Sequence, residues 1–296
     1  MIHLALAACH GDPRDLLRPN RIALGPDGAV YVSDFHHDRI VVFDADGGYR
    51  GTFGERGLGP GQLWRVTAMA TAADGSLLVA NRRPESDARE SEIRFEVVRF
   101  ADGEETDRTL LDGRSLQPDG WIDALAEAPN GHWVVADSTH GELVEIDAHG
   151  QRVGSYGGIR PVDAAPSGLV RDGSTLWVVE QYRHRVTRLV PGAAERPLVF
   201  ADAGHGPPRF PSAVGVCPGR WLAVSDYGGH RVQRYDLDGR WLGEFTPKAV
   251  GPDQPVQAID LAVSPDCERI YLVDSKGNRV LLTDPDGAAL HEVSRW

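Results

Sequence analysis

Residues 18–54 read RPNRIALGPDGAVYVSDFHHDRIVVFDADGGYRGTFG. Four short runs rich in Val, Ile and aromatic side chains alternate with turn residues, and none has a helical period. Pro26-Asp27-Gly28 and Asp46-Gly47 punctuate the runs. Such pairs suit tight hairpins because Gly tolerates a positive φ and Asp bonds its own turn. The passage therefore predicts four β-strands joined in a meander.

The same grammar returns to the end of the chain. Turns of the first kind recur at Ala73-Asp74-Gly75, Pro129-Asn130-Gly131, Arg171-Asp172-Gly173, Cys217-Pro218-Gly219 and Ser264-Pro265-Asp266. The period is roughly 42 to 56 residues, within the range of propeller repeats. A four-stranded sheet alone buries too little apolar surface to persist, so the units must pack face to face. The prediction is an all-β, six-bladed β-propeller of four-stranded antiparallel blades, a single domain over 1–296. The blades fall at about 18–54, 64–111, 121–157, 165–201, 210–246 and 256–296. A terminal strand should close the ring and cover an open edge. Either residues 1–17 or the run Ala288–Trp296 can supply it. The charged stretch Asn81–Glu92 interrupts blade 2 and reads as an exposed loop.

The linker Phe53-Gly54-Glu55-Arg56-Gly57-Leu58-Gly59-Pro60-Gly61-Gln62-Leu63, and the runs DYGGHRV at 226–232 and DSKGNRV at 274–280, carry a resemblance. In these the chain resembles NHL-repeat six-bladed β-propellers, whose relatives include amidating lyase and streptogramin lyase-type propellers. The resemblance covers nearly the whole chain. It implies the fold, whereas function depends on the site.

Composition narrows the partners. The formal net charge of −12 argues against a nucleic-acid binder, which would normally be basic. No run is long enough to span a bilayer. The start, MIHLALAACHGDPRD, has no basic leader of the kind a signal peptide carries. Cys9, Cys217 and Cys267 are odd in number and widely spaced, which predicts no disulfide framework and a reducing, cytoplasmic setting.

Let the strands of each blade be lettered a to d outward from the axis. In a meander the a–b and c–d turns share one face, and the b–c and d–a connections share the other. The first face has minimal Gly turns. The second has longer, varied loops, where function usually sits, so the axial pocket there is the expected binding site. The strand-a starts ring its mouth: Asn20, Thr67, Asp123, Ser167, Ser212 and, by a looser alignment, Asp260.

Each b–c loop opens with an acid or amide: Asp34, Asn81, Asp137, Glu180, Asp226 and Asp274. In four blades an Arg follows five residues later: Arg39, Arg185, Arg231 and Arg279. This recurrent pairing reads as a structural tie, and His184 and His230 as part of the same signature. Departures from the repeat are the functional candidates. His36, His140, Tyr182, Tyr227 and Asp123 are the candidate catalytic residues. Asn20, Trp64, Arg82, Arg83, Trp121, Arg183, Lys276, Ser167 and Ser212 are the candidate substrate-binding residues. Together they would form an aromatic and basic mouth that draws in an anion.

Three chemistries are compatible. Acid–base catalysis by His and Tyr, with Arg or Lys stabilising an anion, suits a lyase, hydrolase or cyclase and needs no cofactor. A metal-dependent lyase or lactonase would need a divalent cation, held by His36, His140 and His230 or by Asn20 and Asp123. The His slot that the resemblance to amidating lyases implies for zinc holds Asn20, Thr67, Asp123, Ser167 and Ser212 here, so that site does not carry over. No GxSxG and no phosphate loop occurs. The third reading is a non-catalytic binding module that presents this face to a protein or, against the charge, to RNA.

Overall fold

Six four-stranded antiparallel sheets, each an uninterrupted a-b-c-d meander, make up the computed structural model. It describes residues 12, 14–84, 93–111, 116, 120–156, 165–190, 196–197, 206–248, 256–288 and 291–293. The six a strands are Pro19–Leu24, Val66–Thr71, Ile122–Glu127, Pro166–Asp172, Pro211–Cys217 and Ala258–Val263. Each packs beside the next around the axis, and the last returns to the first.

The b strands are almost wholly buried, as Trp133–Asp137, Thr175–Glu180 and Trp221–Asp226 show. They read as continuous apolar runs because blades cover both faces of each sheet. Between blades 6 and 1, Val30, Val32, Val41 and Phe43 pack against Tyr271, Val273, Val280 and Leu282. Each fully buried aliphatic side chain contributes about 1.5–3 kcal/mol. This apolar seam closes the ring. The d strand of blade 6 is His291–Glu292, so the C-terminal run takes the outer position. The alternative, residues 1–17, lies largely outside the described residues.

One backbone device recurs in every blade. The a–b register slips by one residue near the start of strand a, leaving a β-bulge at Asn20, Thr67, Asp123, Ser167, Ser212 and Ile259. A bulge bends the strand and re-aims its side chain. The looser alignment of Asp260 is thereby corrected. Asp260 pairs with Val273 in the register in which Arg21 pairs with Ser33, one residue beyond the bulge.

Two further corrections concern loops and cysteines. Strand b of blade 2 runs through Leu77–Pro84 and stays paired as far as Pro84 opposite Ile93. Arg82 and Arg83 therefore sit on an extended hairpin, not in a loop, while residues 85–92 lie outside the described set. The expectation of no disulfide also fails: Cys217 and Cys267 are bonded, with Cα atoms 5.2 Å apart. Cys217 ends strand a of blade 5, and Cys267 lies in the a–b turn of blade 6, so the bond staples neighbouring blades. Cys267 adopts φ +67°, the left-handed slot that Gly28 fills in blade 1 at φ +76°. The argument from cysteine usage to a reducing compartment falls with this bond. Among the described residues no helix is long and apolar enough to cross a membrane.

Candidate functional site

The recurrent acids on the b–c face are ties. Asp34, Asp137, Glu180, Asp226 and Asp274 are all buried. Arg39 Nε donates to Asp34 at 2.8 Å, Arg185 Nε to Glu180 at 2.7 Å, Arg231 Nε to Asp226 at 2.9 Å and Arg279 Nε to Asp274 at 2.9 Å. The second carboxylate oxygen often reaches the linker that enters strand a. Leu17 N donates to Asp34 at 2.7 Å, and Arg209 N and Phe210 N donate to Asp226 at 2.8 and 3.1 Å. Each acid thus fixes its own loop, and Asp34, Asp137 and Asp226 also hold the preceding connection.

The residue four beyond the acid is left-handed in five blades: Asp38, Gly141, His184, His230 and Asn278. Asn, Asp and His are the non-glycine residues that tolerate this conformation best, which explains His184 and His230. Blade 3 varies the tie. Glu142 stands where the Arg would be, and His140 Nδ1 lies 2.8 Å from Asp137 Oδ2 in its place. In blade 2 the amide of Asn81 donates to Glu96 at 2.8 Å, and Glu96 is held by Arg83 at 3.2 Å and by Arg108.

Arg21 lies between the two halves of the axial channel and lines the cavity on either side. From blade 1 its Nη2 donates to Asp123 Oδ1 across the channel at 3.0 Å, and its Nε donates to Thr67 O at 2.6 Å. Trp121 Nε1 donates to the same Asp123 oxygen at 3.0 Å. Asn20 donates to Val66 O at 2.9 Å and accepts from Ser33 Oγ. The Asn20–Asp123 pair therefore does not fit a divalent cation: its groups already serve protein partners, one of them a guanidinium. The three-histidine alternative does not assemble either. His140 is held by Asp137, and His230 Nδ1 faces Gln257 Nε2 at 3.4 Å. Among the described residues no three His, Cys, Asp or Glu side chains come together as metal ligands.

Above Arg21, on the b–c face, lies a cavity of about 510 Å³. Arg18, Asn20, Phe35, His36, Thr67, Trp121, Asp123 and Ser275 line it with Leu17 and Arg21. Its two aromatic walls are each capped by a guanidinium. Arg82 stands 4.9 Å from the centre of the Trp121 ring, and Arg65 stands 5.7 Å from that of Phe35. Burial, and then the charge of Arg65, hold the Arg82 pKa below its ordinary value. Arg65 also attracts the buried Asp38 carboxyl, countering part of the upward push of burial on its pKa. The His36 imidazole is exposed and edge-on to Phe35, 5.6 Å between centroids, with no hydrogen-bond partner among those residues. Neighbouring His37 is instead bound to Asp34 at 2.8 Å.

Other candidates lie apart from this mouth. Tyr182 is 61% exposed and packs on Phe210. Arg183 donates to Glu180 at 2.8 Å. Lys276 stands 6.0 Å from the Tyr227 ring, and Trp64 stacks under Arg56 at 4.1 Å. Ser212 Oγ donates weakly to Ala258 O at 3.3 Å, whereas Ser167 Oγ is buried without a partner among the described residues. Arg18, Arg21, Phe35 and Ser275 also line the mouth, with Arg65 over Phe35, and none of them stands out from the repeat in the sequence. With the bulges located, Arg21 is the one cation among the six residues that follow them.

The fold places the chain among six-bladed β-propellers. An NHL-repeat family model matches residues 16–43, the end of the entry segment with strands a to c of blade 1. No curated protein sequence matches the chain. Among solved structures, a virginiamycin B lyase from Staphylococcus aureus with quinupristin is 15% identical, with 95% of this chain and 85% of that one covered, at TM-score 0.60. The periplasmic gluconolactonase of Pseudomonas aeruginosa is 15% identical over 93% and 83%, at 0.56. The calcium-binding protein regucalcin from Agrobacterium tumefaciens is 15% identical over 93% and 85%, at 0.57. These similarities carry the fold.

Proposed function

We propose that the mouth on the b–c face is the reaction site of a small-molecule enzyme, a lyase, hydrolase or cyclase, acting on a planar anionic substrate. His36 is its general base. The carrying observation is a contrast among histidines. His37 and His140 are each spent on a buried aspartate, whereas His36 faces the cavity without such a partner. An imidazole nitrogen with no protein partner can accept a proton from a substrate held in the mouth. The flat walls of Phe35 and Trp121 suit a ring or conjugated plane. Arg82, over Trp121, with Arg65 over Phe35, supplies charge for a carboxylate or phosphate. Tyr182 and Tyr227 do not line this cavity, so the reading rests on His36 and the arginines. Similar propellers that are named as lyase and gluconolactonase make such chemistry compatible with the scaffold.

Calorimetry with phenyl phosphate and benzoate, against benzamidine, tests the recognition half. The anions should bind, the cation should not, and Arg82→Gln should weaken anion binding about tenfold, as loss of one charge-assisted contact implies. Equal binding of benzamidine, or no effect of R82Q, refutes it. A screen of anionic esters, lactones and acids bearing a β-leaving group tests the chemistry, with His36→Ala expected to abolish turnover at unchanged stability. Anion binding without turnover across that screen would favour a non-catalytic binding module.

A further inference from the structure

Below Arg21 a second cavity, about 460 Å³, opens on the opposite face, at the a–b turns around Gly173, Pro218 and Pro265. The short hairpins make that face look inert in the sequence. The cavity wall is aliphatic, with Leu24, Met69, Leu125, Leu169, Val216 and Leu261 among its lining. Its charged groups fall into two tiers. At the floor are Arg21, Asp123 and Asp260, and at the rim are Glu127, Arg171 and Asp172. Each tier holds two carboxylates and one guanidinium, so each carries one uncompensated negative charge when ionised.

The pairing within the tiers confirms the excess. Arg21 is committed to Asp123, while Asp260 accepts only from backbone, Ile22 N at 3.0 Å and Leu261 N at 2.9 Å. Arg171 stands 3.6 Å from Glu127, and Asp172 accepts from Gly219 N at 3.3 Å. Asp123 and Glu127 are four residues apart on strand a of blade 3, so the tiers lie about 13 Å apart at roughly 3.3 Å per residue.

We propose that this half of the channel is a second ligand site, which takes a linear aliphatic diammonium ion with one ammonium at the floor, the methylene chain along the aliphatic wall and the other ammonium at the rim. A monocation leaves one tier unanswered. An anion meets net negative charge at both ends. An apolar molecule of the same length fills the wall but leaves both tiers unpaired. The site is on the face away from His36 and does not depend on the reaction proposed there.

Calorimetry with diaminohexane, diaminooctane and diaminodecane, against octylamine, octanediol and octanedioate, tests it on the whole protein. One diamine should bind per chain, with an optimum near the eight-carbon spacer. Octylamine and octanediol should bind at least tenfold more weakly, and octanedioate not at all. Asp260→Asn and Glu127→Gln should each bring diaminooctane down to the affinity of octylamine. Ala70→Phe, which fills the cavity, should remove binding. Urea denaturation confirms that each variant is folded, and should D260N not fold, E127Q and A70F decide. Octylamine binding as tightly as the diamine overturns the proposal, as does diamine binding that survives A70F or shows several equivalent sites per chain.

Discussion

Replacing Asp226 by alanine probes whether the buried acids hold the blades together. The Asp226 carboxylate is fully buried and accepts four hydrogen bonds. Arg209 N, Phe210 N and Gly229 N donate to one oxygen at 2.8, 3.1 and 3.1 Å, and Arg231 Nε donates to the other at 2.9 Å. In Asp226→Ala the backbone donors lose their acceptor at about 1 kcal/mol each, and the charge-assisted bond is worth about 2 kcal/mol more. Arg231 keeps Glu244 at 2.8 Å, which limits the penalty on its charge. The expected loss is about 5 kcal/mol, at the top of the range for breaking one side of a buried pair. Asp226→Asn retains an oxygen for the three N–H groups and loses the ionic bond, so about 2 kcal/mol is expected. Urea denaturation at neutral pH measures both. A loss in D226A below about 1 kcal/mol, or equal losses in the two variants, refutes the assignment of the tie to these bonds.

Other outcomes follow from the same geometry. His140→Ala should cost about 1.5–3 kcal/mol because His140 bonds the buried Asp137, whereas His36→Ala should stay within about 0.5 kcal/mol. Thermal melts of the pair decide this, and equal shifts would contradict it. Reducing Cys217–Cys267, or Cys217→Ser, should lower stability by about 3 kcal/mol; an unchanged melt with and without reductant would contradict a staple. Burial pushes the Asp260 carboxyl up to about 6, against the attraction of Arg21 and two backbone N–H groups. A carboxyl whose pKa is higher folded than unfolded binds more protons in the folded state. Its contribution therefore favours folding below about pH 4 and is lost as pH rises through about 6. Because Asp260 is part-exposed, the expected change is about 2 kcal/mol. Stability against pH in wild type and Asp260→Asn checks it, and parallel curves would contradict it.

Much of the wheel was legible because turns and strands write themselves locally. Pro26-Asp27-Gly28 and its five counterparts mark the hairpins, and the recurrent Asp–Arg spacing marks ties that the structure shows closed. What stayed hidden depends on the third dimension. Cys217 and Cys267 sit 50 residues apart, about one repeat, and meet only because adjacent blades bring equivalent turns together. The sixth bulge falls on Ile259, not Asp260, because the slip belongs to the backbone register and not to the polarity of the residue. Arg21 reads as one more strand residue until the ring closes and aims it at Asp123, two blades away. The mouth showed the same division. His36, Trp121 and Arg82 could be picked out as departures from the repeat. Only side-chain placement separates His36 from His140, or joins Arg65 and Arg82 over aromatic walls.

The measurement that bears most directly on the reaction site is a crystal structure of the protein soaked with phenyl phosphate. The account predicts the ring between Phe35 and Trp121, with the phosphate within hydrogen-bond reach of Arg82 and beside His36. Phosphate bound elsewhere while that mouth holds only solvent would contradict it.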